Sequence, residues 1–244
     1  MMLKLIHVAI FIIFCDKIFS LPYDVEKCKI DDESCLLTSS NKVLQKYYGG
    51  IPEIDLASLD PFLVNQFFVD RKYSTIKIKN GDFSNMKMRG LQSATIEKIS
   101  GFDKDHLEIE FKAPKLTFTG SFKADAKVLI FPINTDGEFT LKLYDYDAKL
   151  NIKLDRYTRN RTKYFQTTGY CIHSTVRTGD IDSTGVPKIV NWLINLHFNS
   201  LFKSSIQSFV DDIWSAYYEK AINVMLTKVP IGELFTCEMD RDGH

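Results

Sequence analysis

From residue 73 to residue 185 apolar side chains return at every second position, and that period decides the architecture. Ile76 and Ile78 alternate with lysines. Leu107, Ile109 and Phe111 alternate with His106, Glu108, Glu110 and Lys112. Phe139, Leu141 and Leu143 alternate with Thr140, Lys142 and Tyr144, and Leu150, Ile152 and Leu154 with Asn151, Lys153 and Asp155. Tyr170, Ile172, Ser174 and Val176 share a further face. Successive side chains of a strand point to opposite sides, so each run predicts a strand with one wet and one buried face. Asn80-Gly81, Asp136-Gly137 and the polar run 156–163 read as the turns between them. Strands joined by hairpins form an antiparallel meander, not a parallel Rossmann-type sheet. The phase flips between Leu143 and Leu150, which predicts a bulge or bend.

The flanks read as helical. On the N-terminal side, Ser39-Ser40-Asn41 can cap a helix through Val43, Leu44, Tyr47 and Tyr48 that stops at Gly49-Gly50. A second short helix fits Ser58 to Phe68, with Asp60-Pro61 at its start. On the C-terminal side, Gly185 and Pro187 open a short helix through Val190, Leu193, Ile194 and Leu196. Asn199 or Ser200 then caps a long helix ended by Val229-Pro230, its stripe running through Phe202, Ile206, Phe209, Ile213, Tyr217, Ala221 and Val224 and widened by Val210, Trp214, Ile222, Met225 and Leu226. Such a helix, about 29 residues long, spans ~43 Å. A sheet with one greasy face needs a cover. The expected fold is therefore α+β: a long C-terminal helix wrapped by a highly curved antiparallel sheet, with short N-terminal helices.

Residues 1–20 read as a secretory signal peptide, with Lys4, an apolar run from Leu5 to Cys15, and a cleavage point near Ser20/Leu21. The expected domain organisation is this segment followed by one domain over residues 21–244. Cys28, Cys35, Cys171 and Cys237 then remain, an even number that suits an oxidising compartment. Four cysteines allow three connectivities. Cys28–Cys35 closes a small polar loop, and Cys171–Cys237 follows by elimination; a zinc site is the rival reading. Asn160-Arg161-Thr162 is an N-glycosylation sequon within the expected hairpin tip. The 31 Lys+Arg balance 31 Asp+Glu, which argues against a nucleic-acid partner or general attraction to anionic membrane.

No nucleophile elbow, zincin helix, Walker loop or dinucleotide fingerprint occurs. The expectation is no catalytic residue, no metal and no cofactor. The 18 Phe and 11 Tyr instead supply more apolar area than a small wrap needs. Either they fill a solid core, or the sheet stays open around its helix and leaves a tunnel for an elongated apolar ligand. The residues assigned to such a tunnel are Leu44, Tyr47, Phe62, Phe67, Phe118, Leu129, Phe131, Phe139, Leu141, Tyr170, Ile172, Ile194, Phe209, Ile213 and Trp214. Tyr170 and Ser174 are candidate partners for a polar ligand end. Two other readings stand beside a carrier: an interaction protein acting through a receptor or membrane, and a secreted hydrolase with a triad assembled in space.

Several motifs, in one order along the chain, carry a resemblance. Leu59-Asp60-Pro61-Phe62, Arg89-Gly90-Leu91 and 127–133 (KVLIFPI) resemble elements of the insect takeout and haemolymph juvenile-hormone-binding family. So do 191–198 (NWLINLHF) before the last helix, 229–235 (VPIGELF) after it, and the Cys28/Cys35 pair, which matches the family's N-terminal disulfide. His197 and Phe198 stand where Asn and Trp are usual. The resemblance implies a sheet wrapped around a long helix, an internal tunnel for juvenile hormone, a fatty acid or a similar lipid, and neither catalysis nor cofactor. It also implies a gate formed by an N-terminal helix, here Lys42 to Tyr48. The implied partner is a small hydrophobic ligand; with the even charge balance and no later run of 18 apolar residues, the expectation is a secreted monomer with no nucleic acid and no stable membrane anchor.

Overall fold

A computed structural model describes residues 21–72, 76–128, 130–201 and 206–236. The signal-peptide reading, Leu129, Phe202 and Cys237 lie outside them. Among the described residues six strands make one antiparallel sheet: β1 (Phe62–Lys72), β2 (Ile76–Arg89), β3 (Thr95–Ser100), β4 (His106–Val128), β5 (Phe131–Arg159) and β6 (Thr162–Ser183). The order is β1-β2-β4-β5-β6, with β3 also paired to β4. Thus β4 pairs with β3 over its first half and with β2 over its second.

β5 is 29 residues long. Extended straight it would run ~95 Å, at ~3.3 Å per residue, so a strand of this length must bend to enclose a core. The bend devices are visible. Asp145 takes a left-handed φ of 49°, between buried Leu143 and buried Tyr146. This is the phase flip expected from the sequence, and pairing to both neighbours keeps its register through it. Asn80 and Asn85 do the same in β2, where the register to β4 slips twice.

Two of the turn assignments are therefore corrected. Asn80-Gly81 lies inside β2 and Asp136-Gly137 inside β5. An Asn-Gly pair supplies the positive φ of a bulge as readily as that of a hairpin. The sequon is a true tip: Asn160 and Arg161, both at positive φ, join β5 to β6 as a two-residue turn.

The N-terminal block is corrected in two places. Helix α1 is Glu33–Lys46, its cap seven to nine residues before the expected one at Ser39–Asn41. Asp32 caps it by accepting from the Cys35 N–H, and Glu33 and Lys46 suit its two dipole ends. Ser39 and Asn41 are polar for tertiary reasons. The Ser39 hydroxyl donates to the Glu26 carbonyl, and the Asn41 amide pairs with both backbone groups of Ile96 in β3. The expected helix over Ser58–Phe68 is strand β1 instead. Phe62 and Val64 are buried while Leu63 is exposed, a period of two that outweighs the proline signal. The Asp60 carboxylate starts no helix of its own; it accepts from the Gly90 and Gln92 N–H groups at 2.9 Å, at the head of a short 3-10 turn over Leu91–Ser93.

After β6 come α2 (Lys188–Leu196), α3 (Phe198–Leu201), α4 (Gln207–Tyr217), a π-helical turn (Tyr218–Ile222), α5 (Asn223–Lys228) and α6 (Ile231–Leu234). The expected single long helix is thus interrupted in character. Over the described residues it runs Gln207–Lys228 with a π turn inside it. The wider turn resets the stripe by one residue. Val210, Ile213, Trp214 and Tyr217 face a main core with Phe62, Met88, Leu116, Phe118, Leu143 and Tyr146. Tyr218 and Leu226 face a second cluster with Leu36, Phe102, Leu107, Ile152, Phe165 and Phe235. The Cys28–Cys35 disulfide ties residue 28, which bridges to Phe235, to the first turn of α1.

Candidate functional site

The inner face of the wrap is not solid. A cavity of about 210 Å³ lies under α1, between the helix after Trp214 and the half of the sheet holding β3. Leu36, Val43 and Leu44 line it from α1; Ile99, Leu107, Ile109, Phe111, Leu150, Tyr170 and Ile172 from the sheet; Trp214, Tyr217, Tyr218, Ile222, Met225 and Leu226 from the helix. A second cavity of about 160 Å³ lies at the other end. Ile78, Ala126, Ile133, Phe139, Leu141 and Ile181 line it from the sheet, and Val186, Ile194, Ile206 and Phe209 from the helical side. A cage of rings surrounds this second space. Phe209 stands 5.1–6.0 Å, centroid to centroid, from Phe67, Phe83 and Phe139.

The two linings share no residue. Along β5, Leu141 belongs to the second cavity and Leu150 to the first; Leu143, Tyr146 and Ala148 between them are buried. Along the helix, Phe209 and Trp214 are divided in the same way by Val210 and Ile213. A packed band therefore separates the cavities.

Of the residues assigned to a tunnel, Leu44, Tyr170, Ile172 and Trp214 come together in the first cavity, and Phe139, Leu141, Ile194 and Phe209 in the second. Phe62 and Phe67 stand one ring behind them: Phe62 meets Tyr217 edge-on at 5.0 Å, and Phe67 stacks on Phe83. Phe118 and Ile213 are fully buried in the main core and line neither space, and Phe131 packs half-buried against that core. Tyr47 lines neither space. Its hydroxyl and the Lys46 ammonium both donate to the Asp24 carboxylate, and Lys42 donates to the Asp24 carbonyl. Residues 21–25 are thereby strapped to α1, and Leu21 and Val25 of the strap cover the first cavity. No periodicity marked these two residues. Ile222, Met225 and Leu226 were legible as the widened helix stripe.

Between the two cavities polar groups enter this interior beside Tyr146. Tyr146, wholly buried, stacks on Trp214 at 6.0 Å. Neither the Tyr146 hydroxyl nor the Trp214 Nε1 has a hydrogen-bond partner among the described residues. The Ser174 hydroxyl is near the phenol but is directed to the Asp211 carboxylate, 3.4 Å away. Burial pushes the Tyr146 phenol and the Asp211 carboxyl above their usual ranges. Gln207 donates to the Ser174 carbonyl, completing a polar seam between α4 and β6. Tyr170, expected to meet a ligand's polar end, stacks on Tyr218 at 3.9 Å. Ser174 donates to an aspartate rather than a histidine, and its neighbour His173 is exposed. Cys171 is exposed on β6 and forms no disulfide among the described residues. No group of three His, Cys, Asp or Glu suited to a metal occurs among them, and none of their helices is long and apolar enough to cross a membrane.

Comparison with known proteins agrees with this geometry. The model of the family described as haemolymph juvenile hormone binding protein matches residues 6–236. The chain is similar to the circadian clock-controlled protein daywake of Drosophila melanogaster, 29% identical over 169 residues, covering 66% of this chain and 65% of that one. It thus spans just under two thirds of that relative's length. The daywake protein of Drosophila yakuba is 22% identical over 232 residues, covering 89% of each chain. Takeout 1 of Epiphyas postvittana has the same fold, with a TM-score of 0.76 at 20% identity over 87% of this chain and 100% of that one.

Proposed function

The chain belongs to the haemolymph juvenile hormone binding protein family, and on that premise we propose that it is a secreted, monomeric carrier of one small elongated hydrophobic molecule. Residues 21–244 form the ligand-binding domain, released from a signal segment at 1–20. The observation that carries this reading is the first cavity: an apolar chamber under a strapped helix, lined by Trp214, with the buried Tyr146 stacked behind that indole and neither donor partnered among the described residues. The ligand class is a long hydrocarbon or terpenoid chain bearing one acceptor oxygen. Burying ten methylenes contributes about 8 kcal/mol gross, of which association removes several. Ten methylenes alone therefore fall short of the ~8 kcal/mol of a micromolar complex, and a longer chain or the polar end must supply the rest.

Solvent extraction of the purified native protein, followed by mass spectrometry, tests the reading. A co-purified lipid with an ester, epoxide, ketone or carboxyl oxygen is expected. Failure of any long-chain compound to displace a fluorescent fatty acid would count against it.

The strap and α1 are the gate. Asp24→Asn is expected to speed release of a bound probe at neutral pH, read by stopped-flow fluorescence. The hydrogen bonds from Lys46 and Tyr47 hold the Asp24 carboxyl down at about 2, against 3.8 ordinarily. Its stabilising contribution is present above the ordinary value and is lost only as pH falls through about 2. Mild acid should therefore leave the release rate unchanged, and a large acceleration at pH ~5 would place the gate elsewhere.

Secretion has its own test. Asn160 is exposed at the apex of the β5–β6 hairpin, with Thr162 following it. Expression in insect cells is expected to give a band that glycosidase shifts and that Asn160→Gln abolishes.

A further inference from the structure

Ile189, Trp192 and Leu196 stand along one side of α2, and 52%, 56% and 59% of each is exposed. The rest of this helix is fully employed. Val190 and Ile194 are buried, Asn191 bonds Ser183, and the Asn195 amide pairs with both backbone groups of Ile181 at the edge of β6. Large apolar side chains at spacings of three and four on the solvent side leave more than half of their area uncovered by this fold. Ile130, 76% exposed, occupies the turn between β4 and β5.

Beside that turn, Lys72, Lys77 and Lys127 are register partners across β1, β2 and β4, and all three are exposed. Partners in register share a face, so three ammonium groups lie in one transverse row. Like charges directly opposite one another destabilise a sheet, and none of the three is in a salt bridge among the described residues. The acidic residues nearest this row, Asp70 and Asp125, stand two positions farther from the tip. Both features border the second cavity. Ile78 and Ala126, next in sequence to Lys77 and Lys127, line it from the sheet, and Ile194 lines it from α2.

We propose that this end of the molecule docks on a bilayer surface carrying anionic phospholipid. An indole with an apolar body and one N–H settles at a membrane interface. Ile130, Ile189 and Leu196 add apolar area beside it, and the lysine row meets the lipid charge. The chain's overall neutrality is no obstacle, because the charge is local to the tip. A second copy is a poor occupant: a two-fold contact sets the same patch on both partners and would bring the lysine rows together. Docking so placed holds the mouth of the second cavity against lipid. It does not depend on which ligand the first cavity carries.

The test is sedimentation of the full chain with phosphatidylcholine vesicles and with phosphatidylcholine–phosphatidylserine vesicles. Binding to the anionic vesicles alone, lost at high salt, is expected. Tryptophan emission should shift blue on binding, and Trp192→Phe should remove that shift while leaving the buried Trp214 signal. Trp192→Ala, and separately Lys77→Glu with Lys127→Glu, should each weaken binding by about tenfold or more. These residues are exposed, so circular dichroism and probe affinity should be unchanged. No binding by the folded wild type, or equal binding by all variants, overturns the proposal. So does a concentration-dependent dimer that Trp192→Ala dissolves. A protein that fails to bind a lipid probe yet still sediments with anionic vesicles would refute the carrier reading and leave this one standing.

Discussion

Ile213→Asp is expected to leave the chain unfolded at room temperature, with the far-ultraviolet signal of the sheet lost. Ile213 is 2% exposed and sits in the packed band between the two cavities. It borders neither empty space, so water has no route to a carboxylate placed there. Burying an unpaired charge costs several kcal/mol, and breaking the band's packing adds to it. The sum, about 4 kcal/mol or more, is comparable with the whole stability of a domain. Phe209→Ala is the instructive contrast. That ring is half-buried and lines the second cavity, where its neighbours Phe67, Phe83 and Phe139 can close in. A loss of about 3 kcal/mol with the fold retained is expected. Thermal melts of both variants check the pair. Equal melting temperatures would mean that the band is no better packed than the cavity wall.

That contrast was not available from periodicity. On the helix, Phe209 and Ile213 are both stripe positions, and in β5 Leu141 and Leu143 are both inward. A period of two or of 3.6 reports which face is buried, not whether the opposing side chain reaches it. The meander, its register-bearing faces and the helical cover were legible because each strand keeps one face dry. Phe62 and Phe67 were misplaced on a helix because Asp60-Pro61 is an honest helix-start signal that here serves a strand entry. The start of α1 was missed because Ser39 and Asn41 imitate a cap while bonding Glu26 and Ile96, contacts of long sequence separation. The strap residues Leu21 and Val25 carry no periodic signal at all. Their place over the cavity comes from the Asp24 hydrogen bonds, which only the fold reveals.

Tyr146→Phe should move stability and affinity in opposite directions. The phenol is wholly buried and its hydroxyl has no partner among the described residues, so the folded chain without ligand bears an unmet desolvation cost. Removing the oxygen while keeping the ring stacked on Trp214 relieves that cost, and the ligand-free protein should gain about 1 kcal/mol or more. Tyr146 lies in the packed band behind Trp214, which lines the first cavity; a ligand whose acceptor oxygen reaches past that indole to the phenol loses this hydrogen bond in the variant, and its affinity should fall about tenfold. A ligand of the same length without the oxygen should bind both proteins alike, which separates the hydrogen bond from lost packing. Ser174 sharpens the test. If its hydroxyl turned from Asp211 to the phenol, the variant would lose a satisfied bond and melt lower, not higher. A lower melting temperature would thus assign Tyr146 to the polar seam of α4 and β6. A uniform loss of affinity across both ligands would assign it to packing alone. Only a higher melting temperature with selective loss of the oxygen-bearing ligand places the carrier's specificity on this hydroxyl.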